Sequence, residues 1–161
     1  MVSIQARIEG IIDVGILVLS HCENPAETDM LSFLTKALKK QIIAIIPYSA
    51  FLGAYHIMTN YLKTDRVETA NRLITTAMIS RDIFHQTINS EHIKYALENA
   101  AQLRIDSWDG YLLSLMNQFQ TNIIYSIDKK LEKICNVINP ISDKIMEKYY
   151  EWLAQRLKKR K

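Results

Sequence analysis

Apolar and polar positions alternate in blocks along this chain, and the blocks switch between two rhythms. Residues 7–13 predict a short strand closed by Asp13. Residues 41–46 are a nearly continuous β-branched run ended by Pro47, the pattern of a strand covered on both faces. Residues 123–127 and part of 131–138 predict two more strands, and 82–88 a further short one. Between them the apolar positions recur at helical spacing. Met30, Phe33, Leu34 and Leu38 predict a helix over 24–40, and Phe51, Tyr55, Met58 and Leu62 another over 49–63. Helices follow over 65–78, 92–103 (with Asn89 or Ser90 as cap) and 107–119. The apolar run after Asp13 is assigned no element. Past Asn139 and Pro140, the residues Ile141, Ile145, Tyr149, Trp152 or Leu153, and Leu157 mark an amphipathic C-terminal helix.

Strand and helix thus alternate, which predicts an α/β fold: a three-layer α/β/α sandwich around a parallel sheet of four to five strands. The expected division is residues 1–142 for this domain and 143–161 for the amphipathic basic helix. That helix must bury its stripe on its own domain, on a second copy or on a partner.

Composition narrows the class. The chain has 161 residues, enough for one proper core, and 48% of them are apolar with few Gly or Pro, which excludes a linker-like chain. Apolar runs such as 42–46 are too short to cross a bilayer, and Arg7, Glu9 and Asp13 interrupt the N-terminal region in a way no signal peptide does. Cys22 and Cys135 have no CxxC or Cys/His spacing, so they read as reduced thiols of a cytoplasmic protein without membrane association. The net charge of +3 is concentrated: residues 143–161 carry 7 basic and 3 acidic side chains, and the remainder is close to neutral. A basic end attracts phosphate backbones, and equally serves as a solvated helix end.

The candidate chemistry lies in three aspartates. Asp13 closes a buried apolar run, Asp109 enters a helix, and Asp128 follows the run from Ile123 to Ile127. An isolated carboxylate is costly to bury. In open parallel sheets, functional groups gather outside the carboxyl ends of the strands, and acids meeting there suit hard divalent cations. Taken singly, Asp109 is also explained as a helix N-terminal acid, favoured by about 0.3–1 kcal/mol, and Asp128 as a turn cap. Asp13 has no such simple structural explanation. His21, His56, His85 and His92 form no ligand spacing, and Trp108 and Tyr111 read as packing residues.

The segment Leu103-Arg104-Ile105-Asp106-Ser107-Trp108-Asp109-Gly110 resembles the "L-x-x-x-D-A" helix entry of PIN-domain nucleases. Tyr125-Ser126-Ile127-Asp128 resembles their "T-x-D" segment, Leu131 to Pro140 their closing strand and "N-P" ending, and Ile11-Ile12-Asp13 their opening strand. The resemblance spans roughly residues 5–142, and in size the chain is closest to VapC-like toxins of toxin–antitoxin pairs. It implies a metal-dependent endoribonuclease in which Asp13, Asp109 and Asp128 are the catalytic acids and ligands of Mg²⁺ or Mn²⁺. It also implies an RNA substrate, an antitoxin protein partner and a homodimer. Ser126 matches a position that orients a neighbouring carboxylate or phosphate, and Lys129 and Lys130 stand where they can meet a phosphate. The family's usual glutamate in the helix after the second strand is absent, with Gly53 in its place. Asp106, Glu23 and Glu27 are the acids available to replace it. The alternative implied by that gap is a degenerate PIN-fold module that binds RNA or protein without cutting.

Overall fold

In the computed structural model, residues 7–79, 82–85 and 87–159 are described. Five parallel strands form one sheet: β1 (Gly10–Ile12), β2 (Ala44–Pro47), β3 (Phe84–His85), β4 (Ile123–Tyr125) and β5 (Asn136–Ile138), in the order β3-β2-β1-β4-β5. Seven α-helices are present among the described residues: α1 (Val14–His21), α2 (Glu27–Leu38), α3 (Tyr48–His56), α4 (Arg66–Ile79), α5 (Ser90–Leu103), α6 (Ser107–Phe119) and α7 (Asp143–Lys158). A π-helical turn, Ile57–Tyr61, continues α3. The architecture is the expected α/β/α sandwich, with the sheet at five strands.

Side-chain alternation along the strands explains the layers. Neighbours such as Ile11 and Ile12, or Ile45 and Ile46, point to opposite faces of a sheet. Ile12, Ile46 and Tyr125 join one buried cluster with α1, α2, α3 and α7, whereas Ile11, Ile45 and Ile124 join a second with α6. Both faces are covered, so the central strands are apolar throughout. Helix α5 packs on α6 so closely that a Cβ at Gly110 would run into the backbone carbonyl of Ala96.

The clearest departure from the sequence pattern is α1. Ile16, Leu17, Val18, Leu19, Ser20 and His21 are all buried, so the helix has no polar face to betray a 3.6-residue period. Its start is set by Asp13, whose carboxylate accepts from Val14 N at 2.6 Å. The strands are also shorter than expected: β1 covers three residues of the 7–13 run, and β3 two of 82–88. Helix α7 turns most of its apolar stripe onto its own domain, burying Met146 and Tyr149 in the first cluster while Leu157 stays exposed, and Arg156 Nε donates to Leu62 O at 3.0 Å. Arg160 and Lys161, part of the basic end, lie outside the described residues. No helix among the described residues is long and apolar enough to cross a membrane.

Candidate functional site

The strand order puts a topological switch point at the centre of the sheet. The chain builds from β1 outward through β2 to β3, then returns to the other side of β1 with β4 and β5. The crevice between the carboxyl ends of β1 and β4 is therefore where an open α/β sheet holds its ligands. Asp13 directly follows β1, and Asp128 lies three residues beyond the end of β4. Helix α6 leads into β4, so its first turn, which carries Asp109, begins at that same end of the sheet.

Asp13 is buried, with 7% of its surface exposed, and its carboxylate is fully engaged. Oδ1 accepts from Val14 N and, at 2.8 Å, from Trp108 Nε1, while Oδ2 accepts from Ser126 Oγ at 2.7 Å. Ser126 Oγ in turn accepts from Asp128 N at 3.0 Å, so one buried hydroxyl ties two of the three aspartates together. This is an orienting role of the kind the sequence resemblance implied for Ser126. The Trp108 contact was not legible as such. Trp108 and Asp13 are 95 positions apart, and a tryptophan at a helix start reads as packing until the fold brings its N–H to the carboxylate.

Asp109 is half-buried, and no described residue donates a hydrogen bond to its carboxylate. Burial comes first, and then the charges of Asp13, Asp128 and Asp106 push its pKa from 3.8 up to about 6, partly opposed by Lys130. Four carboxylates thus interact across one end of the sheet. Lys130 stands among them, with Nζ 3.4 Å from Asp106 Oδ2 and 3.6 Å from Asp128 Oδ2, and its backbone N donating to Asp128 Oδ1 at 2.9 Å. Beside the acids an open cavity of about 530 Å³ is lined by Asp106, Asp109, Lys130, Arg104, Lys133 and Ile134, among others. Arg104 and Lys133 are cations that sequence reasoning did not single out. Arg104 takes a left-handed conformation (φ 54°, ψ 47°) to end α5, and that turn carries it to the cavity rim.

Glu23 and Glu27, candidates to replace the missing acid, do not join this site. They follow the far end of α1, about 12 Å along its axis from Asp13 by the rise of eight helical residues. Glu27 pairs with Arg72 at 3.3 Å, and Glu23 lines a separate, smaller cavity of about 240 Å³ with His21, Cys22 and Arg72. That cavity offers little chemistry. Burial lowers the His21 pKa and raises the Cys22 thiol to about 11, which leaves an inert thiol beside an imidazole bonded at 2.7 Å to Thr76 Oγ1. His56 is exposed, with Asn60 Nδ2 3.1 Å from its Nδ1. At Gly53 a Cβ would sit 3.1 Å from Val14 Cγ2, so this position abuts the residue next to Asp13 but supplies no acid. A Cβ at Gly15 would meet Ile127 Cγ1 at 3.1 Å.

Among the described residues no three His, Cys, Asp or Glu side chains close tightly enough to enclose a metal ion by themselves. The donor set instead suits a hard cation that keeps part of its water shell and takes one or two carboxylates, as Mg²⁺ commonly does. Two observations fit such a group: the Asp109 carboxylate has no donor, and the Lys130 ammonium already stands between two acids as a positive charge would. Neither protein-family models nor curated protein sequences match this chain.

Proposed function

We propose that this protein is a Mg²⁺- or Mn²⁺-dependent endoribonuclease of PIN-like type, with Asp13, Asp109 and Asp128 as the acids of its site. The observation that carries the reading is the Asp109 carboxylate: half-buried, without a donor, and pushed up to about 6 at the switch point of the sheet. Mutually repelling acids at such a position are characteristic of functional sites, because a bound cation offsets the repulsion. When bound, the ion supplies an activated water and stabilises the charge that develops on the phosphate. Asp109 and Asp128 are its ligands, with Asp13 held rigidly behind them by Val14, Trp108 and Ser126.

The substrate class follows from the charges around the acids. Arg104, Lys130 and Lys133 line the adjoining cavity, and a row of cations beside clustered carboxylates suits a polyanion drawn up to a metal. RNA rather than DNA and an antitoxin protein partner belong to the proposal through the toxin resemblance, and a cytoplasmic setting through the free thiols of Cys22 and Cys135. A homodimer has separate support: Val67, Ile74 and Met78 form an exposed apolar stripe on α4, with Leu52 exposed on α3. Two observations favour the binding-only alternative. Gly53 leaves the site one acid short, and Lys130 already neutralises part of what remains.

Single-stranded RNA with Mn²⁺ or Mg²⁺, tested with and without EDTA and with Asp109→Asn, separates the two. Cleavage that stops both with EDTA and with the substitution supports the nuclease. Cleavage that survives either one sinks the assignment, and RNA binding without cleavage supports the degenerate module.

A further inference from the structure

We infer that Lys130 is a tethered counter-ion of the acidic site, whose ammonium holds the position between Asp106 and Asp128 and must be displaced when a divalent cation binds. The inference rests on the proposed divalent-cation reading and adds a competitor for the ion within the chain. Residue 130 grips Asp128 through both oxygens, by backbone N to Oδ1 at 2.9 Å and by Nζ to Oδ2 at 3.6 Å. The same Nζ reaches Asp106 Oδ2 at 3.4 Å.

Asp106 provides an independent sign. It occupies the N-cap position of α6, where an aspartate ordinarily accepts from the first-turn N–H groups, yet its side chain caps nothing. Its carboxylate turns to Lys130 instead. A good local cap is thus forgone for an exposed ion pair, the weaker of the two interactions as a rule.

Displacement is easy on this geometry. The Lys130, Asp106 and Asp128 side chains are 63%, 75% and 46% exposed, so solvent screens the pairs and the lysine stem is free to swing. A divalent ion taken up by Asp109 and Asp128 carries twice the charge and outcompetes one ammonium for Asp128. The released Lys130 stays in the cavity with Arg104 and Lys133, where it becomes a third cation facing a phosphate backbone.

The test is calorimetric titration of the full chain with Mn²⁺ alone, at neutral pH and moderate salt, for the parent protein, Lys130→Met and Lys133→Met. Both substitution sites are exposed and line the cavity, and circular dichroism checks folding. Lys130→Met is expected to tighten Mn²⁺ binding by roughly three- to tenfold, the scale of one or two exposed ion pairs. Lys133→Met, which removes a cavity cation that pairs with no acid among the described residues, is expected to change it by less than about twofold. Equal affinities in parent and Lys130→Met, weaker binding in Lys130→Met, or an equal gain in Lys133→Met overturns the counter-ion role while leaving the cation site standing. Absence of Mn²⁺ binding in all three overturns the cation reading itself, and the inference with it.

Discussion

Replacing Asp109 with Asn should make the metal-free protein more stable at neutral pH, an uncommon outcome for a half-buried residue. The carboxyl pKa is about 6 in the fold against an ordinary 3.8, so the native state binds a proton more tightly than the unfolded chain does. The sign follows directly. The advantage of the protonated acid is fully present below about 3.8 and is lost as pH rises through about 6, so the folded protein pays for the charge above that range. A gap of about two units corresponds to at most about 3 kcal/mol, and solvent screening at a half-buried group reduces it to roughly 1–2 kcal/mol. The helix dipole favours a charge at this position by only about 0.3–1 kcal/mol, so repulsion and desolvation win. Asn copies the shape of the neutral acid and removes the penalty. Urea denaturation in EDTA should therefore show Asp109→Asn more stable by about 1–2 kcal/mol at pH 7.5, equivalent to about 2–6 °C for a domain of this size. At pH 4.5 the difference should shrink to roughly a third of that value. Added Mg²⁺ at about one hundred times its dissociation constant should reverse the order, because it stabilises the parent by about 2.7 kcal/mol and the variant hardly at all. A variant less stable than the parent at pH 7.5, or a difference independent of pH, would refute the argument that the site's acids repel one another in the fold.

Three further outcomes follow from the same geometry. Gly53→Glu returns an acid to the position beside Val14, needing a shift of a few tenths of an ångström from that side chain. It should tighten Mn²⁺ binding on the order of tenfold in calorimetry, and an unchanged affinity would mean that residue 53 lies outside the site. Ser126→Ala removes both the donor to Asp13 and the acceptor for Asp128 N. It should cost about 1–3 kcal/mol by denaturation, and a loss under about 0.5 kcal/mol would show the hydroxyl to be idle. Gly110→Ala drives a methyl group into the Ala96 carbonyl between α5 and α6. It should destabilise by about 3 kcal/mol or more, since backbone cannot yield as a side chain does, and a stability within about 1 kcal/mol of the parent would contradict the close packing.

Helix α6 was legible because its apolar positions keep helical spacing and its two ends are marked, so the expected and observed spans coincide at Ser107–Phe119. Helix α1 was not, because a helix buried on every side carries no periodic signal. The brevity of β1 and β3 was hidden for a different reason: apolar residues flanking a strand pack without joining its hydrogen-bond ladder. At the site, Asp13 was visible as a charge at the end of an apolar run, and Asp109 and Asp128 through their neighbouring motifs. Glu23 and Glu27 were misplaced because the unrecognised α1 separates them from Asp13 by its whole length.

Local windows of sequence already carry the α/β class, the alternation of strands with helices and the aspartates at their ends. These are properties of short windows, in which periodicity and the cost of burying a charge are already expressed. That β4 returns beside β1, making the switch point and setting Asp13 against Ser126 and Trp108, emerges only when the whole chain folds. The same folding brings Lys130 onto Asp106 and sets Arg104 and Lys133 beside the acids. The reason is physical. Strand order and ion-pair choice arise from contacts between residues tens of positions apart, whose energies appear only when the chain closes on itself.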